Sequence, residues 1–213
     1  MTSVPKISII TPSFNQSEFL DKCILSVVGQ HYPALEYIVI DGGSTDNSIQ
    51  VINKYSDKIF YHVSERDNGH GDGLNKGFAV SSGEIMGWVN SDDMLTPSSL
   101  NCIAEVFTLF PYVHWIQGFA SFWNKRGQMT SAKRNPKNIY DYLIGNYAWI
   151  QQESVFWRRS LWEKAGGRIS DKARFMVDGE LWGRFFKYES LYSVDCVLGG
   201  WRNSGVNRAI ANR

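Results

Sequence analysis

The chain has 213 residues, 43% of them hydrophobic and 20% charged, which suits one globular domain with a sizeable core and requires no second. A formal net charge of +1, with no long basic run, excludes a surface built for polyanions such as nucleic acid. No apolar stretch approaches the roughly 20 residues of a membrane span, and the N-terminus lacks the basic start and apolar block of a signal peptide. Three cysteines (Cys23, Cys102, Cys196) with no CxxC pair predict free thiols in a reducing compartment. A cytoplasmic protein is expected; peripheral association with the inner face of a membrane, or a cut from a longer protein, would leave the same trace.

Lys6 to Thr11 is a β-rich run, after which Phe19, Leu20, Cys23, Ile24, Val27 and Val28 recur at helical spacing, and Leu35 to Ile40 is β-rich again. A helix over Ser48 to Tyr55, a strand over Lys58 to Val63, a helix over Gly73 to Val80 and a strand over Ile85 to Val89 follow. This alternation predicts a parallel α/β sheet covered on both faces. The second half is less regular. Trp115 to Trp123 reads as a strand, and Ser160-Leu161-Trp162-Glu163 as a capping box opening a short helix that Gly166-Gly167 closes. Asp178 to Tyr188 reads as a helix and Leu191 to Trp201 as a last strand, without a defined topology.

In open parallel sheets ligands collect at the carboxyl ends of the strands. Four polar loops stand there: "TPSFN" from Thr11, "DGGSTDNS" from Asp41, "ERDNGHGDGLNKG" from Glu65 and "NSDD" from Asn90. A turn and a helix cap account for Ser44 to Ser48, which leaves Asp41, at the strand tip, as a ligand candidate. Asp72 opens the next helix, as a partner of its dipole or as a ligand contact. The glycine-rich loop fits neither GxGxxG nor a P-loop, and His70 is not read as a metal ligand. Thr96-Pro97 reads as the N-cap and first position of the helix after "NSDD", so Asp92 and Asp93 are left without a structural task. If the strand runs to its tip, Asn90 and Asp92 share one face and Ser91 and Asp93 the other, so the aspartates do not chelate as a pair. Asp92 suits a hard divalent cation, Mg²⁺ or Mn²⁺, held by one carboxylate and by substrate phosphates.

The ordered stretches "ISIITPSFNQ", "YIVIDGGSTDNS", "SERDNGHGDGLNKGF", "GEIMGWVNSDD", "QQESVFWRRSLWEKAGG" and "VDGELWGRFF" resemble glycosyltransferase family 2 over nearly the whole chain. The likeness is closest to bacterial enzymes that build O-antigen and other surface polysaccharides. It implies a GT-A fold, Rossmann-like, with a mostly parallel central sheet flanked by helices. It also implies a single domain, 1–213, with a nucleotide-sugar half over about 1–95 and a less regular acceptor half over about 96–213. Thr11, Pro12 and Asn15 would border the nucleotide base, and Asp41 with Asp72 would hold base and ribose. Asn90-Ser91-Asp92 stands where the family has Asp-x-Asp, with Asp92 as the metal-binding member. Asp178 falls where the family places its catalytic base, and Gln152 and Trp182 are the acceptor candidates. Trp149, Trp157 and Trp182 offer rings for sugar faces, with core packing as the competing task for each.

Three departures stand out. Gly42 replaces a second acid that commonly contacts uracil, Asn90 replaces the first Asp of the motif, and "GWRNSGVN" lacks the late histidine ligand of some relatives. Gly42 counts against a UDP-sugar, and the resemblance as a whole implies an inverting transferase that uses a nucleotide-diphosphate sugar, UDP-linked first with GDP and dTDP as alternatives. A glycan or lipid-linked acceptor completes that expectation. A binding module without turnover and a sugar nucleotidyltransferase are the other readings. Helical spacing puts Asp178 on the stripe of Leu181, Trp182 and Phe185, facing inward, and pairs Glu180 with Arg184 on the solvated side.

Overall fold

The computed structural model describes residues 4–146, 150–170 and 176–205. In chain order the first half comprises β1 (Ile7–Ser13), α1 (Ser17–Val28), β2 (Leu35–Asp41), α2 (Ser48–Lys54), β3 (Tyr61–Ser64), α3 (His70–Val80) and β4 (Ile85–Trp88). Then come β5 (Met94–Leu95), α4 (Ser99–Leu109), β6 (Trp115–Gln117), β7 (Ala120–Trp123), β8 (Met129–Lys133) and α5 (Ile139–Leu143). A 3-10 turn (Gln152–Ser154), β9 (Val155–Arg158), α6 (Arg159–Lys164), α7 (Val177–Phe185), β10 (Tyr192–Ser193) and β11 (Gly199–Arg202) complete it.

Seven strands form the main sheet in the order β10-β6-β9-β4-β1-β2-β3, and four form a smaller sheet, β5-β11-β7-β8. β1 pairs in parallel with β2 and β4, and β2 with β3, while β9 runs antiparallel to β4 and β6. The apolar runs of β1 and β2 feed both faces at period two: Ile7, Ile9, Tyr37 and Val39 pack into one core cluster, Ile10, Ile38 and Ile40 into another. α1 and α4 cover the first face, and α3, α6 and α7 the second. α3 lies so close to β1 that a Cβ at Gly77 would come 2.4 Å from Ile10 Cγ2. The second cluster is aromatic: Trp88 stacks on Trp182 at 5.8 Å, and Trp115 and Trp157 lie 5.7 and 5.8 Å from the same ring.

The elements depart from the sequence-based expectations where a distant contact decides. Trp115 to Trp123 divides at Gly118, whose N–H donates to Ser154 O (2.9 Å), and the chain leaves the main sheet for the small one. Leu191 to Trp201 divides in the same way. α3 starts at His70 rather than Gly73, directly after Gly69 at φ 108°. Thr96 is not an N-cap, because its hydroxyl donates to Val197 O. α4 begins at Ser99, and Gln30 Oε1 serves the first turn instead, accepting from Leu100 N–H (2.9 Å) and the Ser99 hydroxyl (3.2 Å). α6 begins at Arg159 without a side-chain cap, and Gly166 and Gly167, both at positive φ, close it.

Candidate active site

The chain winds from β1 to β2 and β3 in one direction and then crosses to β4 on the other side of β1. That reversal opens a crevice between the carboxyl ends of β1 and β4, where such sheets bind ligands. Its walls are the four polar loops.

At the tip of β2 the Asp41 carboxylate is consumed by the turn. It accepts from Gly43 N–H (3.2 Å), Ser44 N–H (2.8 Å), the Ser44 hydroxyl (2.5 Å) and the Ser64 hydroxyl (2.6 Å). The adjoining β1 loop is tied to the same turn: Asn15 Oδ1 accepts from Thr45 N–H at 2.8 Å, and Asn15 N–H donates to the Ser44 hydroxyl at 2.8 Å. On the third wall Asp67 Oδ1 accepts from Gly69 N–H (2.8 Å), and Asp72, in the first turn of α3, accepts from Asn68 N–H (3.0 Å). Lys76 Nζ stands 3.9 Å from the Asp72 carboxylate.

β4 stops at Trp88, so the alternation expected for Asn90 to Asp93 does not hold; the four residues form a turn closed by Asp93 N–H to Asn90 O at 2.9 Å. Asn90 is its hub. Its Oδ1 meets His70 Nε2 at 2.9 Å, and its Nδ2 donates to Asp93 Oδ2 and to Gln152 Oε1, both at 3.2 Å. Asp93 is fully buried and accepts from Arg202 N–H at 2.7 Å. It therefore has the structural task that sequence reasoning denied it. Asp92 is half-buried, and its Oδ2 accepts from the Ser204 hydroxyl at 3.1 Å. The Arg202 guanidinium donates to the Asp92 carbonyl and lies 5.0 Å over the Phe19 ring.

Burial governs the acidities here. It raises the Asp92 carboxyl above its usual range, against the pull of Ser204 and Arg202. It holds Asp93 well above that range, with Glu153 and Asp92 adding to the effect. Glu153, buried beneath the turn, is pushed up to about 7 by burial, with Asp178 and Asp92 also disfavouring its charge. Asp93 and Glu153 hydrogen-bond one another, an arrangement that keeps a proton between two buried carboxyls. Asp178, in the first turn of α7, is half-buried and also raised by burial, opposed by the backbone amides of Gly179 and its own residue. Glu180 pairs with Arg184 through two 2.9 Å bonds, on a face apart from Asp178.

Several expected contacts are not available. Thr11 is fully buried, its hydroxyl accepting from Tyr37 at 3.0 Å, so it cannot border a base. Pro12 is buried against α3 at Gly73, and Ser91 is buried within its turn. Trp182 is enclosed in the aromatic core, as is Trp157, and offers no ring to an acceptor. Gln152 is buried too; its amide donates to Trp88 O and accepts from Asn90, which makes it a support of the turn. Trp149 lies outside the described residues. Sequence reasoning missed Glu153, Arg202 and Asp67, which join the site through partners far away in the chain.

Among the described residues no three His, Cys, Asp or Glu converge as a metal cage. The donor set fits a hard cation in a narrower sense. Asp92 offers one half-buried carboxylate that also accepts from Ser204, and Asn90 Oδ1 is already engaged by His70. Such a cation would take its remaining ligands from phosphates and water.

Residues 8–191 match the family Glycosyl transferase family 2. A glycosyltransferase of Mycobacterium tuberculosis is 39% identical over 213 residues, covering 97% of this chain and 78% of its own. The GalNAc(5)-diNAcBac-PP-undecaprenol beta-1,3-glucosyltransferase of Campylobacter jejuni is 32% identical over 106 residues, 48% of this chain and 34% of its own. Residues 1–349 of S. aureus TarS in complex with UDP-GlcNAc superimpose with a TM-score of 0.75 at 16% identity, covering 93% of this chain and 58% of that one. The mannosyltransferase PcManGT from Pyrobaculum calidifontis, in complex with GDP-Man and Mn²⁺, gives 0.69 at 18% identity, covering 94% and 57%. The chain thus spans under two thirds of both solved chains. By this family match and this architecture the chain belongs to glycosyltransferase family 2 and has the GT-A fold.

Proposed function

We propose that the chain moves a sugar, with inversion, from a nucleoside-diphosphate sugar to a hydroxyl of a glycan or lipid-linked acceptor. The observation that carries this is the convergence of Asp92 and Asp178 from opposite halves of the chain: both are half-buried, and both lie near enough to Glu153 to disfavour its charge. Asp178 takes the proton of the acceptor hydroxyl while the oxygen attacks the anomeric carbon in line. The bond from that carbon to the diphosphate oxygen breaks, and the nucleoside diphosphate leaves. A carboxylate with a raised pKa is the stronger base for this step. Bound at Asp92 with the diphosphate, Mg²⁺ or Mn²⁺ would offset charge on the leaving group. Asp72 and the β1–α1 loop at Asn15 face the nucleoside, and the division near residue 95 separates donor from acceptor halves.

The UDP-GlcNAc and GDP-Man held by TarS and PcManGT support such a donor, the UDP-linked one first, and the Mn²⁺ in the latter supports the metal. The undecaprenol-linked substrate in the name of the Campylobacter relative supports a lipid-linked acceptor. No helix among the described residues is long and apolar enough to cross a membrane. Peripheral association with a cytoplasmic membrane face is supported by α5 and the residue after it, where Tyr140, Leu143 and Ile144 are exposed. Tyr142 anchors α5 to Gly179 O at 3.0 Å, one residue from Asp178.

Calorimetric titration of UDP, GDP and dTDP, with and without Mn²⁺, tests the donor side. Metal should tighten the preferred nucleotide in wild type and not in Asp92→Asn. Equal metal enhancement in both proteins would remove Asp92 from this role.

A further inference from the structure

Cys102 and Cys196 lie 94 positions apart in the chain, and the fold brings their thiols into hydrogen-bond contact. Cys102 stands near the start of α4, and Cys196 in the segment that leads into β11. The bonds around them hold those two segments together: Thr96 N–H donates to Leu198 O at 3.0 Å, the Thr96 hydroxyl donates to Val197 O, and Leu95 pairs with Gly199 in the small sheet. Cys196 O accepts from Phe119 N–H at 2.8 Å, which fixes its backbone from the other side. Both thiols are half-buried against the core cluster that α1 and α4 cover.

Little else engages the two sulfurs. Cys196 Sγ makes a long bond, 3.7 Å, to Val197 O, too weak to compete with covalent chemistry. Sulfurs already in contact have roughly 1–2 Å to close to the S–S bond length of about 2.05 Å. The third thiol is placed differently: Cys23 is fully buried, donates to Asn90 O at 3.3 Å, and is pushed up to about 12 by burial. It is an inert control within the same chain.

We propose that Cys102 and Cys196 form a site of reversible thiol modification, a dithiol that a small disulfide oxidant such as oxidised glutathione converts to an intrachain disulfide. The Cys196 thiolate attacks one sulfur of the oxidant, whose S–S bond breaks as one glutathione thiolate leaves. The Cys102 thiolate then attacks Cys196 Sγ in the mixed disulfide, forming the Cys102–Cys196 bond and releasing the second glutathione. The two electrons end on glutathione, and the two protons shed by the protein thiols pass to the leaving thiolates or to water. Burial and the Cys196 sulfur beside it push Cys102 up to about 11, so the first attack falls to Cys196. Closing so long a loop removes freedom from the unfolded chain and stabilises the fold. It also fastens the entry to β11, the strand whose Arg202 N–H holds Asp93 and which leads to Ser204 beside Asp92.

The test is to incubate the folded protein with oxidised glutathione, block the remaining thiols with N-ethylmaleimide after denaturation, and map the peptides by mass spectrometry without reduction. Wild type should yield one cross-linked peptide pair holding Cys102 and Cys196, with Cys23 blocked as a free thiol, and dithiothreitol should restore both thiols. The oxidised protein should melt about 5–10 °C above the reduced one. Cys102→Ser should stop at glutathione on Cys196, and Cys196→Ser should form no intrachain bridge; neither should show the rise in melting temperature. Because the peptide map is read on wild type, it decides the matter even if a serine variant folds poorly. Cys102 and Cys196 recovered as separate thiols or separate glutathione adducts, a bridge that involves Cys23 or joins two chains, or an oxidised protein that melts no higher than the reduced one overturns the proposal.

Discussion

Gln152 Oε1 accepts a hydrogen bond from Asn90 Nδ2 at 3.2 Å, and through it the end of β4 is fastened to the 3-10 turn ahead of β9, 62 positions later. The same amide donates to Trp88 O. Gln152→Ala should leave a buried carbonyl and half an amide unpaired, at a cost of roughly 1–3 kcal/mol. Chemical denaturation would show it as a lower midpoint at unchanged slope. Nucleotide binding by the remaining folded protein should weaken with metal present, because Asn90 and Asp92 share one turn.

Asp41→Ala should be destabilising by roughly 2–3 kcal/mol, since four donors lose a charged acceptor in the buried turn after β2. Thermal melting checks this. A melting temperature equal to wild type would mean that the turn holds without the carboxylate.

Much of the first half was legible because local and global signals agree there: period-two residues such as Ile7, Ile9 and Ile10 divide between two faces, and α1 buries the stripe that its spacing predicts. The inward placement of Asp178 on α7 was legible for the same reason, with Leu181, Trp182 and Phe185 buried on the same stripe. What was hidden depends on partners without a sequence signal. Ser64 completes the Asp41 turn from 23 positions away, Gln30 serves the start of α4 from 70, and Arg202 reaches Asp93 from 109. Gly42 marked an absence, but only the folded loop brings Asp67 to it. The second half was opaque because Gly118 and the segment before Gly199 switch sheets, which apolar periodicity does not record.

Trp182→Ala should act on the fold, not on acceptor recognition. The ring touches Trp88, Trp115, Trp157 and Phe185, so its removal should cost roughly 3–5 kcal/mol. Trp182→Phe should recover much of that. An acceptor KM that rises while melting is unaffected would contradict the core placement.

Glu153 predicts a pH dependence of stability. Its carboxyl titrates at about 7 in the fold against the ordinary 4.5, so between these values the folded state keeps a proton that the unfolded chain has released. Its contribution is complete below about 4.5 and is lost as pH rises to about 7, with Asp93 acting in the same direction. Glu153→Gln should reduce this slope and be the more stable protein at pH 8. Melting curves of both proteins from pH 4 to 9 without divalent metal decide it, and parallel curves would contradict the buried shared proton.

The most direct measurement is turnover of Asp178→Asn beside Glu180→Gln, with a donor and acceptor pair identified by screening and nucleotide affinity measured in the same samples. Asp178→Asn should fold and bind donor as wild type does while kcat falls by roughly 10²- to 10⁴-fold, the span of a lost general base. Glu180→Gln, which alters only the pair with Arg184, should retain turnover near wild type. Full activity in Asp178→Asn, or an equal loss in Glu180→Gln, would contradict the assignment of Asp178 as the base.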